Sequence, residues 1–180
     1  MEVVDDCLSQ EDFNTIRNHL YGDDMWAFSD GIDYKDDEDK FQFYHYYIKQ
    51  NIQVSKHLNI LLPIVNKINP FVFTRIKANF LTRTSTIIEN RFHVDIDMSQ
   101  DKLYQWTTSI LYMNTNNGYT EFQDGRIAME NTTVKSVANR MVTFPANLRH
   151  RGTSCTDEKT RVVINFVYFT RDYVYEKRKH

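Results

Sequence analysis

The sequence predicts a mainly β fold with flanking helices, arranged in two layers, and three observations point there. Helical periodicity is confined to the first 70 residues, the chain after Asn69-Pro70 breaks into short alternating runs, and aromatics are abundant, with 12 Phe, 11 Tyr and 2 Trp in 180 residues. Helices first and strands after suit a β-sandwich or jelly roll whose helices buttress one sheet. Aromatic side chains in turn fit a pleated, half-buried surface better than the interior of a helical bundle.

Composition bounds the problem. The 180 residues read as a single domain, 1–180, with a helical part over 1–70, a β core over 71–170 and a basic tail over 171–180. With 41% hydrophobic and 26% charged residues the chain falls in the soluble globular class, and a formal net charge of -2 makes no overall electrostatic case for nucleic acid. The segment Met1 to Cys7 lacks the basic and apolar regions of a secretory signal, and no apolar run approaches membrane-spanning length. A cytoplasmic protein is expected, with Cys7 and Cys155 as reduced thiols rather than a disulfide framework. Nothing in the pattern specifies an oligomeric state.

Taken in order, Ser9 opens a helix, with Asp12 three residues on as a short capping box and Phe13, Ile16 and Leu20 along one stripe; Gly22 ends it. Asp23 to Lys40 is an acidic, turn-rich loop whose charge run Asp36 to Asp39 reads as solvated. Residues 41–48 alternate as a strand with aromatics on both faces, and His45 within it reads as a packed residue rather than a ligand. Ser55 caps a second helix with the apolar stripe Leu58, Leu61, Leu62, Val65 and Ile68, bent or bounded at Pro63. Strands are then expected over 71–80, 87–94, 107–114, 121–122, 126–129, 135–137, 140–144 and 161–169, with Asn117-Gly118, Asp124-Gly125 and Pro145-Ala146-Asn147 as turns.

One stretch organises the chemistry. Between Arg91 and Asp97 the chain reads Arg-Phe-His-Val-Asp-Ile-Asp, which sets His93 and Asp95 two residues apart. In an extended segment such residues project from the same face, so an imidazole and a carboxylate converge on one point. A third ligand far along the chain would make that point a metal site. His150 is the candidate, followed eleven positions later by Arg161 at the head of the most strand-like run. Two histidines and one carboxylate on one side of an ion leave positions open, the donor set associated with non-haem Fe(II) oxygenases. Accidental spacing is the competing reading, because His-x-Asp alone is common.

The order of the pieces is more specific than any one of them. From about Phe71 to Phe169 the sequence resembles the prolyl 4-hydroxylase-like branch of the 2-oxoglutarate and Fe(II) dependent dioxygenases. His93-x-Asp95, the strand Leu111-Tyr112-Met113-Asn114, the return Gly118-x-Thr120-x-Phe122, Phe144-Pro145, His150 and Arg161 follow one another in the family's order. The resemblance implies a double-stranded β-helix with Fe(II) on His93, Asp95 and His150. It also implies Arg161 on the distal carboxylate of 2-oxoglutarate with Tyr112 assisting, O2 as the oxidant and ascorbate as an optional reductant.

The residue types have chemical reasons. Two neutral imidazoles and one carboxylate leave three sites, enough for a bidentate 2-oxo acid and for dioxygen. A buried carboxylate needs a planar, permanently charged partner, which Arg161 supplies and Lys159, in the polar turn before the strand, does not. If Arg161 points inward, alternation turns Val163, Asn165 and Val167 inward too and makes Asn165 a polar neighbour of the cosubstrate. Val163 stands where many relatives carry a polar residue. A carboxylate at Asp95 argues for hydroxylation over halogenation, and Val167 departs from the second arginine, six residues after the first, of the nucleic-acid demethylase branch.

Loops 81–90 and 99–106 would flank the open side, so Arg83, Tyr104 and Trp106 are candidate contacts to substrate; the resemblance adds Asn79, which with Arg83 precedes the metal ligands at a distance where relatives often place groups contacting substrate or cosubstrate. An aromatic and basic rim suits an extended peptide, with Tyr and Trp stacking on proline. The resemblance favours peptidyl-prolyl hydroxylation with release of succinate and CO2. The alternatives are a free amino acid, small metabolite or nucleotide as substrate, a cupin-type metal enzyme without 2-oxoglutarate, and a non-catalytic β-barrel binding module. The intact triad argues against the module, and Arg161 against the cupin. His19, His57 and His180 read as surface residues.

Overall fold

The computed structural model describes residues 1–22, 25–32, 40–96, 99–123 and 132–170. The acidic run at 36–39, the strand expected over 126–129 and the basic tail over 171–180 lie outside the described residues. In chain order the elements are β1 (Glu2–Val4), α1 (Gln10–Gly22), β2 (Ala27–Ser29), β3 (Gln42–Lys49), β4 (Ile52–Gln53), a 3-10 turn (Leu58–Leu61), α2 (Leu62–Ile68) and β5 (Pro70–Thr82). They continue with α3 (Gln100–Leu103), β6 (Trp106–Tyr112), β7 (Tyr119–Phe122), β8 (Thr132–Lys135), β9 (Met141–Pro145), β10 (His150–Gly152) and β11 (Thr160–Thr170). No helix among the described residues is long and apolar enough to cross a membrane.

The first helix forms as its caps dictate. The Asp12 amide donates to Ser9 Oγ at 3.1 Å and Ser9 Oγ donates to Asp12 Oδ2 at 2.7 Å, while Phe13, Ile16 and Leu20 are buried. The second helical segment differs from expectation in detail. Ser55 does not cap a helix; its Oγ accepts the His57 amide at 3.1 Å and closes the turn before the 3-10 segment. Pro63 lies in the first turn of α2, where its missing N–H has no partner to lose. Leu61 and Ile64 are buried there, whereas Leu62 is 45% exposed and leaves the expected stripe. Asn69, in the left-handed region at φ 46°, ends α2 with its amide on Val65 O at 2.9 Å, and Pro70 then starts β5.

All strand pairs are antiparallel. An eight-stranded sheet runs β1-β9-β6-β11-β5-β3-β2 with β4 added on β3, and a three-stranded sheet runs β10-β7-β8. Alternation sorts the side chains of the central strands onto two faces. Ile76 and Ala78 of β5 and Val162, Ile164 and Phe166 of β11 pack with Phe13, Ile16, Leu20, Leu61 and Ile64, so the helices cover the outer face of the large sheet. On its inner face Ile110, Tyr112, Val142, Phe144 and Val163 meet Phe122 and Val134 of the small sheet. This is the jelly roll with helices on one sheet that the sequence predicts. The short edge strands β1 and β2 carry too few residues for an alternation pattern and were not legible.

Candidate active site

Residues 87–94, expected as a strand, make no sheet. They run as an extended strap beside β10, held by isolated bridges at Glu89–Thr153 and His93–His150. The strap is pinned where it crosses the small sheet. Ser154 N donates to Ile88 O at 2.9 Å, Asn90 N to Gly152 O at 3.0 Å, and His93 and His150 exchange both backbone hydrogen bonds at 2.9 and 3.0 Å. Directly opposed residues of an antiparallel pair put their side chains on the same face, and the two rings lie 4.8 Å apart between centroids. The turn that follows brings Asp95 to the same point.

His93, Asp95 and His150 offer ligand atoms within 4.8 Å of one another. His93 Nε2 is 4.0 Å from Asp95 Oδ1, and His150 Nε2 is 3.6 Å from Asp95 Oδ2. Each imidazole has its Nδ1 next to a main-chain carbonyl, Arg91 O at 3.1 Å and Leu148 O at 3.2 Å. A carbonyl accepts only an N–H, which fixes the proton on Nδ1 and turns the Nε2 lone pair to the shared point. His150 and Asp95 are buried, and neither His150 Nε2 nor Asp95 Oδ2 has a hydrogen-bond partner. Buried polar atoms without partners are rare and call for an explanation; a divalent cation at this point would satisfy both.

The electrostatics favour the ligand forms. Burial pushes the His150 imidazole down to about 4, outweighing the pull of Asp95, so it is neutral at pH 7. Burial alone would raise the Asp95 carboxyl, but Arg75 and the two imidazoles hold it well below the usual carboxylate range. Arg75 is a partner the sequence reading missed. Its Nη1 donates to Asp95 O at 2.6 Å and its Nη2 to Asp95 Oδ1.

Deeper in the same cavity lies Arg161, only 3% exposed. Its Nε donates to Ser136 Oγ at 2.9 Å, and its Nη2 to Thr120 Oγ1 at 3.1 Å and Tyr119 O at 3.3 Å. All three acceptors are neutral, and no carboxylate among the described residues reaches the guanidinium. Burial lowers its proton affinity, as expected of a cation without a counter-ion. Tyr112 lies under it with the guanidinium carbon 5.7 Å from the ring centroid, and its hydroxyl donates to Thr120 Oγ1 at 2.8 Å. Thr120 and Ser136, which the sequence reading left without a role, therefore hold Arg161 in place.

The cavity has a volume of about 580 Å³ and is lined by the triad, Arg161, Val163 and Asn165 together with Tyr46, Arg75, Lys77 and Asn79. Asn79 and Asn165 each leave a buried Oδ1 without a partner. From Arg75 to Leu81 the odd-numbered residues of β5 line the cavity, a period-2 signal that would have found Arg75 and Lys77. Arg83, Tyr104 and Trp106 are not among the lining residues: Arg83 is exposed beyond the end of β5, Tyr104 is 49% exposed, and Trp106 packs edge-on against Phe169 at 5.5 Å. His45 is half-buried away from the cavity, with Nδ1 3.0 Å from Met25 O and Nε2 2.8 Å from Ser55 Oγ. His19 and His57, expected at the surface, are half-buried against each other at 4.8 Å. Both cysteines are free and buried.

Neither a protein-family model nor a curated protein matches the sequence. Solved structures do resemble the fold. A prolyl hydroxylase from Trichoplax adhaerens, in complex with a hypoxia inducible factor oxygen degradation domain peptide fragment, superposes with TM-score 0.66 at 10% identity over 97% of this chain and 86% of that one. The epimerase SnoN in complex with Fe3+, alpha ketoglutarate and nogalamycin RO gives 0.66 at 12% identity, over 93% and 78%. HygX from Streptomyces hygroscopicus with nickel and 2-oxoglutarate bound gives 0.62 at 10% identity, over 94% and 82%. The fold is therefore the double-stranded β-helix of the 2-oxoglutarate and Fe(II) oxygenases. Within it the chain places two histidines, one carboxylate and a buried arginine around a single cavity.

Proposed function

We propose that the chain is a 2-oxoglutarate- and Fe(II)-dependent dioxygenase that hydroxylates its substrate and releases succinate and CO2, acting on a prolyl residue of a peptide. The observation that carries the reading is one cavity holding both a His-Asp-His triad, with Asp95 Oδ2 and His150 Nε2 buried and without hydrogen-bond partners, and a buried guanidinium with no counter-ion among the described residues. His93 Nε2, Asp95 Oδ2 and His150 Nε2 would hold Fe(II). When bound, the ion would supply the oxidative decarboxylation of 2-oxoglutarate and the transfer of one oxygen atom from O2 to a C–H bond.

The protein's own part is positioning. Arg161, fixed through Nε and Nη2 by Ser136, Thr120 and the Tyr119 carbonyl, keeps the two N–H groups of Nη1 for the distal carboxylate. Tyr112 closes the face of that guanidinium, and Asn165 Oδ1 and Asn79 Oδ1 are acceptors waiting on the cavity wall. Val163 contributes packing where relatives carry a polar residue, so the cosubstrate would rely on Arg161 and its holders. A free amino acid or other small molecule is the second reading, favoured by the polar side chains Tyr46, Lys77 and Asn79 in the cavity lining. The two buried free thiols suit a reducing, cytoplasmic setting.

Under anaerobic conditions, protein with Fe(II) should develop a weak visible absorption when 2-oxoglutarate is added. The band should vanish in His93→Ala and Asp95→Ala, weaken in Arg161→Ala and survive in His45→Ala within a few-fold. No band with the parent, or an unchanged one in Arg161→Ala, overturns the assignment. Mass spectrometry of proline-containing peptides and of free amino acids, read for a gain of one oxygen, separates the two substrate readings.

A further inference from the structure

We propose that Arg75 is a positioning residue that holds the Asp95 carboxylate by Oδ1 so that Oδ2 is left as the ligand oxygen; this rests on the reading of His93, Asp95 and His150 as iron ligands.

The strap that carries Asp95 has no regular structure to orient it. Its bridges to the small sheet are at Glu89 and His93, so pairing sets the direction of His93 but ends before Asp95. What reaches Asp95 is the fork of Arg75. One nitrogen takes the main-chain carbonyl at 2.6 Å and the other takes Oδ1, so backbone and side chain are fixed by one rigid plane. Arg75 itself stands on β5, a central strand of the large sheet. The guanidinium thus ties a loop-borne ligand to a strand paired on both sides within the large sheet.

The contact takes one of the two carboxylate oxygens. Oδ1 is engaged in a charge-assisted bond, while Oδ2 has no partner and lies 3.6 Å from His150 Nε2. A carboxylate held this way offers one oxygen to an ion rather than two, which keeps a position free for a bidentate 2-oxo acid. Arg75 is the cross-strand partner of Val167, next to the register shift between Val167 and Tyr168. Position 167 is where the demethylase branch carries its second arginine; here the neighbouring strand delivers one, so Val167 alone does not decide the substrate class.

A purely structural role, in which Arg75 only neutralises a buried acid, makes a different prediction. Mn(II) binding is measured by calorimetry with and without 2-oxoglutarate, alongside the thermal midpoint. In Arg75→Met, Mn(II) alone should bind at least as tightly as in the parent, because Oδ1 is released to the ion. The tightening of Mn(II) by 2-oxoglutarate should fall roughly ten-fold or more. Arg75→Lys keeps the charge without the fork; it should change in the same direction to a smaller extent, and it decides the matter if the methionine variant does not fold. Parental 2-oxoglutarate coupling in the variants overturns the proposal, as does a loss of Mn(II) binding in step with the thermal midpoint. A parent that binds no Mn(II) instead removes the metal reading, and this proposal with it.

Discussion

A Cβ placed on Gly118 would stand 2.8 Å from Cδ of Arg161 and 2.6 Å from the carbonyl oxygen of Ser154, closer than non-bonded atoms approach. The buried guanidinium therefore lies where it does because residue 118 has no side chain. Gly118→Ala should lower stability by about 1–3 kcal/mol through overpacking, and should weaken 2-oxoglutarate binding more than Mn(II) binding. Gly152→Ala is the internal comparison, since its Cβ would meet Arg161 Nη1 at 3.3 Å, a contact that a small shift relieves. Thermal midpoints and cosubstrate titrations on the two variants check the order; a larger effect at Gly152 would contradict it.

Stability of the metal-free protein should depend on pH through His150. Its imidazole, pushed down to about 4 by burial, is neutral in the folded chain where the unfolded chain, near 6.5, takes up a proton. The unfolded state then binds more protons between those values, so stability is full above about pH 6.5 and falls by a few kcal/mol as pH drops toward 4. Asp95 acts lower on the scale. Its depressed carboxyl stabilises above the ordinary carboxylate range, and that contribution is lost only as pH falls toward the folded value. Thermal midpoints from pH 8 to 4 should show the His150 step in the parent and not in His150→Gln. Mn(II) should raise the midpoint most above the step.

Arg151 should matter to metal binding without touching the ligands. Its Nη2 lies 2.5 Å from Glu89 Oε2 and its Nε 2.5 Å from Glu121 Oε2, and its guanidinium carbon sits 4.5 Å from the Phe92 ring centroid. It so clamps the strap to β7 just before His93. In Arg151→Met two carboxylates lose their shared cation, at an expected loss of about 1 kcal/mol for a partly exposed network. Hydrogen exchange at the Asn90 and His93 amides should speed up, and Mn(II) affinity should fall, with the exchange of β5 and β11 amides unchanged. Equal acceleration across the large sheet would show a global effect instead.

What the sequence by itself determined is whatever depends on neighbours along the chain. The capping pair Ser9 and Asp12 set the start of α1, and alternation set β11 and the inward turn of Arg161, Val163 and Asn165. These follow from helical and extended periodicity, which a local window contains. The tertiary structure alone decided that 87–94 is a strap and not a strand, because its neighbour β10 is only three residues long and allows isolated bridges. It alone brought Arg75 to Asp95, turned Asp95 to the two imidazoles and set Thr120 and Ser136 on Arg161, and it left Arg83, Tyr104 and Trp106 out of the cavity lining. Those contacts depend on which strands pair and in what register, and no local spacing encodes that.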